Sequence, residues 1–261
     1  MKALTFIIRF QTAQFKVHFQ KLTRRTYLIP PPSAVAGIFC GILGVPRNEL
    51  KDYCEAQKIL VGAELRRLEG FYTTISRIFK FDRDERGLVR LLNKWSKTPR
   101  DGRVYKDIVG LMPIKESEEL FRPEYKIAIA ANDEVISEGL RRLRNLDFEY
   151  EVFGGNDYHF VDYIGDPNEA RYVKSKEGSG YCPAEDLQSI KSQEFRVVIN
   201  CKHLSRTNAQ LPIVMFSPVG PEMRCFVFAY GARLVTKSER SAVKDEDSTI
   251  FVYDPMRCIV P

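Results

Sequence analysis

No run of about eighteen apolar residues, the length a membrane helix needs, occurs in this chain. The longest candidate, Ala34–Val45, is too short, so its glycine spacing is not a membrane pairing motif and no membrane partner is expected. Six cysteines (Cys40, Cys54, Cys182, Cys201, Cys225 and Cys258) are scattered with no C-x-x-C among them, so neither a disulfide framework nor structural zinc is expected. Histidine is scarce: His18, His159 and His203 stand apart from one another and from acids at ligand spacing, and no metal or other cofactor is expected. A G-x-S-x-G elbow and a phosphate-binding P-loop are both missing, and Gly154-Gly155 is too short for a dinucleotide fingerprint, which disfavours nucleotide-handling enzymes. The N-terminus is interrupted by Arg9 and lacks a small-residue cleavage site, so Met1–Phe10 is expected to be a first strand, and the location cytoplasmic.

What is present is a globular composition: 261 residues, 44% hydrophobic, with 40 Lys and Arg and a net charge of +6, which permits an anionic partner without requiring one. The most organised stretch is Tyr27-Leu-Ile-Pro-Pro-Pro-Ser33, followed by Ala34 to Gly44. Three prolines force an extended entry, Ser33 offers an N-terminal cap, and Gly44 with Pro46 ends the helix. Gly37, Gly41 and Gly44 fall on one side, where another element is expected to pack closely.

Around this helix the pattern is strand, helix, strand. Residues 3 to 10 form one strand and Phe15, Val17 and Phe19 alternate as a second, leaving Lys16 and His18 on one exposed face. Asn48 to Ala56 is a short helix and Ile59 to Leu65 a strand. From Phe71 to Pro123 the character changes. Cations recur every three or four residues, including Arg77, Lys80, Arg83, Arg100 and Arg103, interleaved with Phe79, Phe81, Trp95 and Tyr105, as in an inserted basic arm or hairpin. A solvated face and a nucleic-acid surface both account for it, since rings stack on bases while cations meet phosphates. A second strand-helix-strand follows: Tyr125 to Ala130, a helix from Asp133 to Asn145 capped by Asn132, and a strand near Phe148 to Phe153 running into Gly154-Gly155. The order βαββαβ is that of a ferredoxin-like α+β domain. Beyond Asp166, short strands at 194–201, 212–217, 224–229 and 249–253 predict a smaller β-rich part, with Ser175 to Gln193 a loop or linker on account of Gly178, Gly180 and Pro183. The expected division is a first domain over 1–165, carrying the basic arm at 71–123, and a C-terminal part over 166–261.

Metal-free RNA cleavage needs a base for the 2′-hydroxyl and an acid for the leaving oxygen. Tyr27, Lys16 and His18 are one candidate set, and Lys202-His203 lies in the C-terminal part.

The stretch Thr26 to Gly44, with P-P-S-x-x-x-G at its centre, resembles the signature of the fifth CRISPR-associated protein family. Leu120-Phe-Arg-Pro-Glu-Tyr-Lys-Ile127 and Phe153-Gly-Gly-Asn-Asp157 are similar to further family segments, and the resemblance covers about residues 1 to 165. It implies a RAMP-superfamily protein with a modified RNA-recognition (RRM-like) fold and an inserted thumb. It also implies a role: a subunit of a type I CRISPR surveillance complex (Cascade) in antiviral defence that grips the 5′ handle of the guide RNA (crRNA) and caps a filament of backbone RAMP subunits. The large subunit would be a further partner, and a share in reading target DNA beside the adjacent motif is left open. Carried over by position, Arg24, Arg25 and Tyr27 would line the handle site and the arm from Arg77 would be the thumb. Gly154 and Gly155 would let RNA backbone approach. One branch of the family instead cleaves precursor guide RNA with a Tyr, Lys and His set in its first domain. The only Lys-His dipeptide here, Lys202-His203, lies in the C-terminal part, so a non-catalytic subunit is expected. A metal-independent endoribonuclease and a protein-protein scaffold are the alternatives.

Overall fold

The computed structural model describes residues 1–16, 23–77, 114–155, 158–192, 213–216 and 224–255. In chain order the first elements are β1 (Lys2–Phe10), β2 (Thr12–Ala13), β3 (Phe15–Lys16), β4 (Thr23–Arg24), β5 (Thr26–Tyr27), α1 (Pro32–Leu43) and α2 (Leu50–Ala56). Next come β6 (Leu60–Arg67), β7 (Gly70–Arg77), β8 (Ile114–Phe121), β9 (Glu124–Ala131) and the helix α3 (Asp133–Asn145). The remainder is β10 (Val161–Pro183), a 3-10 turn, β11 (Leu187–Ser192), β12 (Ile213–Phe216), β13 (Arg224–Lys244) and β14 (Thr249–Phe251). The fold is mixed α/β, mostly strand with few helices.

β1 lies between β9 and β10, and β6 lies beyond β9, every one of these pairings antiparallel. Alternation along β1 sends Leu4, Phe6, Ile8 and Phe10 to one face, where they join Tyr125, Ile127 and Ile129 of β9 and the apolar sides of α1 and α3. The helices meet where Phe39 lies over Gly139; a Cβ at Gly139 would come within 2.8 Å of that ring. The entry to α1 differs in detail from the expected cap. Pro31 is the N-cap and Pro32 the first helical residue, with no side-chain cap, so Ser33 already lies inside the helix. Gly44 ends α1 in the left-handed region at φ +82°.

The opposite face of the sheet is small-residue rather than open. Ala3, Ala128 and Ala130 pack against Val243, Ile250 and Val252, so the β13–β14 hairpin lies close over the sheet. The last strands also reach β6: Val61 and Tyr253 exchange backbone bonds of 2.9 Å each way. Gly62 and Gly180 make this approach possible, since a Cβ would fall 2.1 Å from the Phe251 carbonyl oxygen at the first and 2.4 Å from that of Ala63 at the second.

Three expectations differ from the structure. Ser175 to Gln193 is not a loop: β10 continues through Pro183, followed by the 3-10 turn and β11. Gly178 and Gly180 are there for contact, with Phe251 against the first and Ala63 against the second. Phe148 to Phe153 is not a strand, and holds only an isolated bridge from Phe153 to Phe160. The strand that pairs with β1 on that side is β10, whose Pro167 sits at a register shift between Asn168 and Gly165, where a bulge absorbs the missing donor. The expected division at 165/166 falls inside β10, which pairs with β1 over its first half and with β13 over its second. The strand expected at 194–201 lies outside the described residues.

Candidate nucleic-acid interface

The short strands after β1 are organised by β8, the return strand of the arm. β7 and β8 pair from Gly70↔Phe121 to Arg77↔Ile114, a two-stranded ribbon that carries the chain toward residues 78–113. Along its other side β8 receives β2, through Thr12 and Ala13, and β4, through Arg24↔Ser117. Between those contacts Gln14 is buried, its side-chain amide donating to the Ser117 hydroxyl and, at 3.0 Å, to the Glu118 carbonyl. β3 then pairs with β5, Phe15 opposite Tyr27 and Lys16 opposite Thr26.

This register gathers Lys16, Arg24 and Arg25 at the foot of the arm. Lys16 and Arg25 are exposed and Arg24 is half-buried. None of the three has an ion pair with a described carboxylate. The contrast with other arginines is plain: Arg9 is held by Asp162 at 2.7 Å, Arg142 by Glu138 at 2.7 Å and Arg240 by Asp186 at 2.5 Å. Cations with no described carboxylate partner, on β3, on β4 and on the link between β4 and β5, make a positive strip, which is what a polyanion requires.

Tyr27 belongs to the other side of the same pair. Facing residues in a ladder share a face, so Phe15 and Tyr27 turn inward while Lys16 turns out. Burial pushes the Tyr27 phenol up to about 12. Tyr27 and Lys16 therefore do not converge, and His18, the third member of that set, lies outside the described residues, as do Lys80, Arg83, Arg100 and Arg103. Arg77 is the last described residue of β7.

Gly154 and Gly155 sit directly behind the strip. The Gly154 carbonyl accepts the Gln14 amide at 2.8 Å, and its own N–H donates to the His159 carbonyl at 2.8 Å. A Cβ at Gly155, where φ is +112°, would lie 2.0 Å from the Gln14 carbonyl oxygen. The approaching backbone in this structure is the chain's own.

Beside this turn is a polar node that sequence reasoning did not single out. Glu119, buried, accepts from the Tyr72 hydroxyl at 2.7 Å and the Thr74 hydroxyl at 2.8 Å. The His159 ring lies against that of Tyr158, tilted by 45° with centroids 4.2 Å apart, and its Nδ1 is 2.7 Å from the Thr12 hydroxyl. Burial holds the imidazole below its ordinary value, opposed by the Glu119 charge, so it is neutral near pH 7. The Tyr72 phenol is pushed up to about 12 by burial and by its bond to Glu119. The node fastens the 153–160 turn to β2 and the arm. Only the alternation of Thr and Tyr against Glu on paired strands hinted at it.

The glycine face of α1 is also unlike its expectation. Nothing lies within 4 Å of a Cβ built on Gly37 or Gly41, because these residues border an open groove of about 870 Å³, whose far wall is Tyr150 to Phe153. The packing contact on α1 is made by Phe39 instead. A second recess of about 570 Å³ opens where Arg9, Lys126 and Tyr163 meet Glu124, Asp166 and Asp247. Among the described residues, no group of three or more His, Cys, Asp or Glu could hold a metal ion, and no helix is long and apolar enough to cross a membrane.

A family profile described as CRISPR-associated protein (Cas_Cas5) matches residues 3–218. The chain belongs to this Cas5 family of CRISPR-associated proteins. Among solved structures it is similar to a CRISPR protein from Archaeoglobus fulgidus, at 10% identity and a TM-score of 0.51, covering 97% of this chain and 99% of that one. That likeness shows a shared fold. Weaker similarity is found to a chain of a CRISPR RNA-guided surveillance complex, with 12% identity, TM-score 0.47, and 89% and 91% of the two chains covered. A chain of a Type III-B Cmr-beta complex bound to cognate target RNA and AMPPnP gives 12% identity, TM-score 0.38, and coverage of 89% and 86%. No curated protein matches the chain.

Proposed function

We propose that this protein is a non-catalytic subunit of a type I CRISPR surveillance complex, holding the 5′ handle of the guide RNA at the foot of its arm. The observation that carries the reading is the strip of Lys16, Arg24 and Arg25, cations with no ion pair to a described carboxylate, Arg24 on the strand that pairs with the arm's own β8 and Lys16 on the β3–β5 pair beside it. The strand order β10-β1-β9-β6, with α1 and α3 on one face, supports reading the first part as a ferredoxin-like βαββαβ unit. Its other face is covered by the β13–β14 hairpin, so bases are not read across the central sheet as in an RNA-recognition module; the handle lies on the rim. The arm beyond Arg77 meets the adjoining backbone subunit, the large subunit docks nearby, and the assembly works in the cytoplasm.

The test is RNA binding by the full chain. Labelled RNA carrying the repeat of the cognate CRISPR array should bind, with affinity falling steeply as salt rises. Changing Lys16, Arg24 and Arg25 together to Ala should reduce the slope of log affinity against log salt by about 2, at roughly 0.7 per lost single-strand phosphate contact. An unchanged slope in a folded variant would remove the strip from the interface. The same mixture incubated in EDTA separates the readings further: cleaved repeat RNA would make this chain an endoribonuclease.

A further inference from the structure

Cys40 and Cys54 are a buried pair that the RNA-binding reading does not use. Cys40 is on the last turns of α1 and Cys54 on α2; their sulfurs lie 3.9 Å apart, both side chains fully or almost fully buried. Cys182, the third free cysteine among the described residues, belongs to a separate cluster with Leu234 and Phe251. A thiol pair at contact distance is a chemical arrangement that a lone buried cysteine is not. We propose that Cys40 and Cys54 are a reversible dithiol-disulfide site, oxidised by exchange with a small-molecule disulfide.

The two thiols are not equivalent. The two sulfurs share a hydrogen bond in which either can donate; with burial it pushes the Cys40 thiol up, and it holds Cys54 below an ordinary thiol against that residue's own burial. Cys54, on the short uncapped helix α2 whose opening exposes it, is the attacking sulfur. Its thiolate attacks one sulfur of the small-molecule disulfide and expels the first small thiolate, which takes up a proton. Cys40 then loses its proton, attacks the Cys54 sulfur and expels the second small thiol. One small disulfide becomes two thiols, and two protein thiols become one protein disulfide; the two electrons and two protons balance. The sulfurs must close to about 2.05 Å, which asks for a small movement of one helix.

α2 is suited to that movement. It has seven residues, no side-chain cap at its N-terminus, no basic residue in its last turn, and exposed Lys51, Asp52 and Glu55 on its outer side. Opening of so short a helix admits the reagent to Cys54. The bond would tie α2 to α1, closing the segment that carries Val45, Pro46, Arg47 and Leu50, one wall of the groove beside Gly37 and Gly41. Oxidation would thus stiffen that wall, and reduction would release it.

The experiment uses the full chain and oxidised glutathione as the probe. After incubation the protein is denatured under alkylating conditions, digested without reductant and mapped by mass spectrometry. The expected result is a Cys40–Cys54 cross-linked peptide, with Cys182 alkylated, and a melting temperature raised by roughly 5–10 °C that returns to the starting value with dithiothreitol. In Cys40→Ser the exchange should stop at a glutathione adduct on Cys54. Full alkylation of both Cys40 and Cys54 in the treated wild-type chain, or linkage of either one to a different cysteine, would overturn the proposal without need of any variant.

Discussion

The Lys126 ammonium lies 2.6 Å from a carboxylate oxygen of Asp245, with the two side chains only 8% and 6% exposed. This pair joins the central strand β9 to the β13–β14 hairpin. Asp245 is further held by the Thr5 hydroxyl at 2.8 Å and by the Ser248 amide at 2.8 Å. Burial raises the Asp245 carboxyl, but the bonds from Lys126, Thr5 and Ser248 outweigh it and leave the group below its ordinary value. The C-terminal hairpin is thus fixed to the sheet by charge as well as by Ala3, Ala128 and Ala130.

Breaking one side of this pair should be costly. Lys126→Met leaves a buried carboxylate without its main partner and should destabilise the fold by about 3 kcal/mol, whereas Lys126→Met with Asp245→Asn should lose less than the sum of the single changes. Urea denaturation of the four proteins measures the coupling. Additive losses would mean that the pair is not coupled in solution.

Acid should unfold the protein in two stages. His159 has a depressed value in the fold, so the unfolded chain takes up its proton first, and stability falls as pH drops below about 6.5. Asp245 and Asp186 are also depressed; their contribution is complete above the ordinary carboxylate value and is lost as pH falls below about 4. His159→Gln should flatten the upper stage and leave the lower one intact. Melting temperatures between pH 7.5 and 3.5 test this, and an unaltered upper stage in the variant would assign it to another group.

The parts of the fold legible in sequence were those governed by local rules. The helix Asp133–Asn145 has both ends as expected: Val135, Ile136, Leu140 and Leu143 keep one stripe and arginines close it, while Asn132 holds the N-cap position without a side-chain cap, its amide donating to Gln57 instead. α1 was equally clear from its prolines and Gly44. What was not legible depended on distant partners. Gly178 and Gly180 look like loop residues in sequence, yet both sit in β10, where the ring of Phe251 and the carbonyl of Ala63 account for them. The foot of the arm was half legible: Lys16, Arg24 and Arg25 stand out by charge, but Gln14 and Ser117, whose bond ties this region to β8, are 103 residues apart and unremarkable singly.

Gly155 should be intolerant of a side chain. At φ +112° with the Gln14 carbonyl 2.0 Å from a would-be Cβ, Gly155→Ala forces the 153–160 turn away from β2 and should cost at least about 2 kcal/mol. Loss of stability should be accompanied by weaker binding of repeat RNA, because the same displacement moves Lys16. Thermal melts and binding isotherms on one preparation check both, and an unchanged melting temperature would contradict the geometry.

Gly37 and Gly41 should behave in the opposite way. Both lie within α1 with helical neighbours on either side, and neither has any atom within 4 Å of an added Cβ. Glycine inside a helix costs roughly 0.5–1 kcal/mol relative to alanine, through the freedom it loses on folding. Gly37→Ala with Gly41→Ala should therefore raise stability by about 1–2 kcal/mol, seen as a higher urea midpoint at unchanged slope. A drop would mean that another part of the chain closes on this face in solution. A rise accompanied by failure to join the surveillance complex would mean that the groove is kept open for a partner, since bare backbone would then have been retained at a cost in stability.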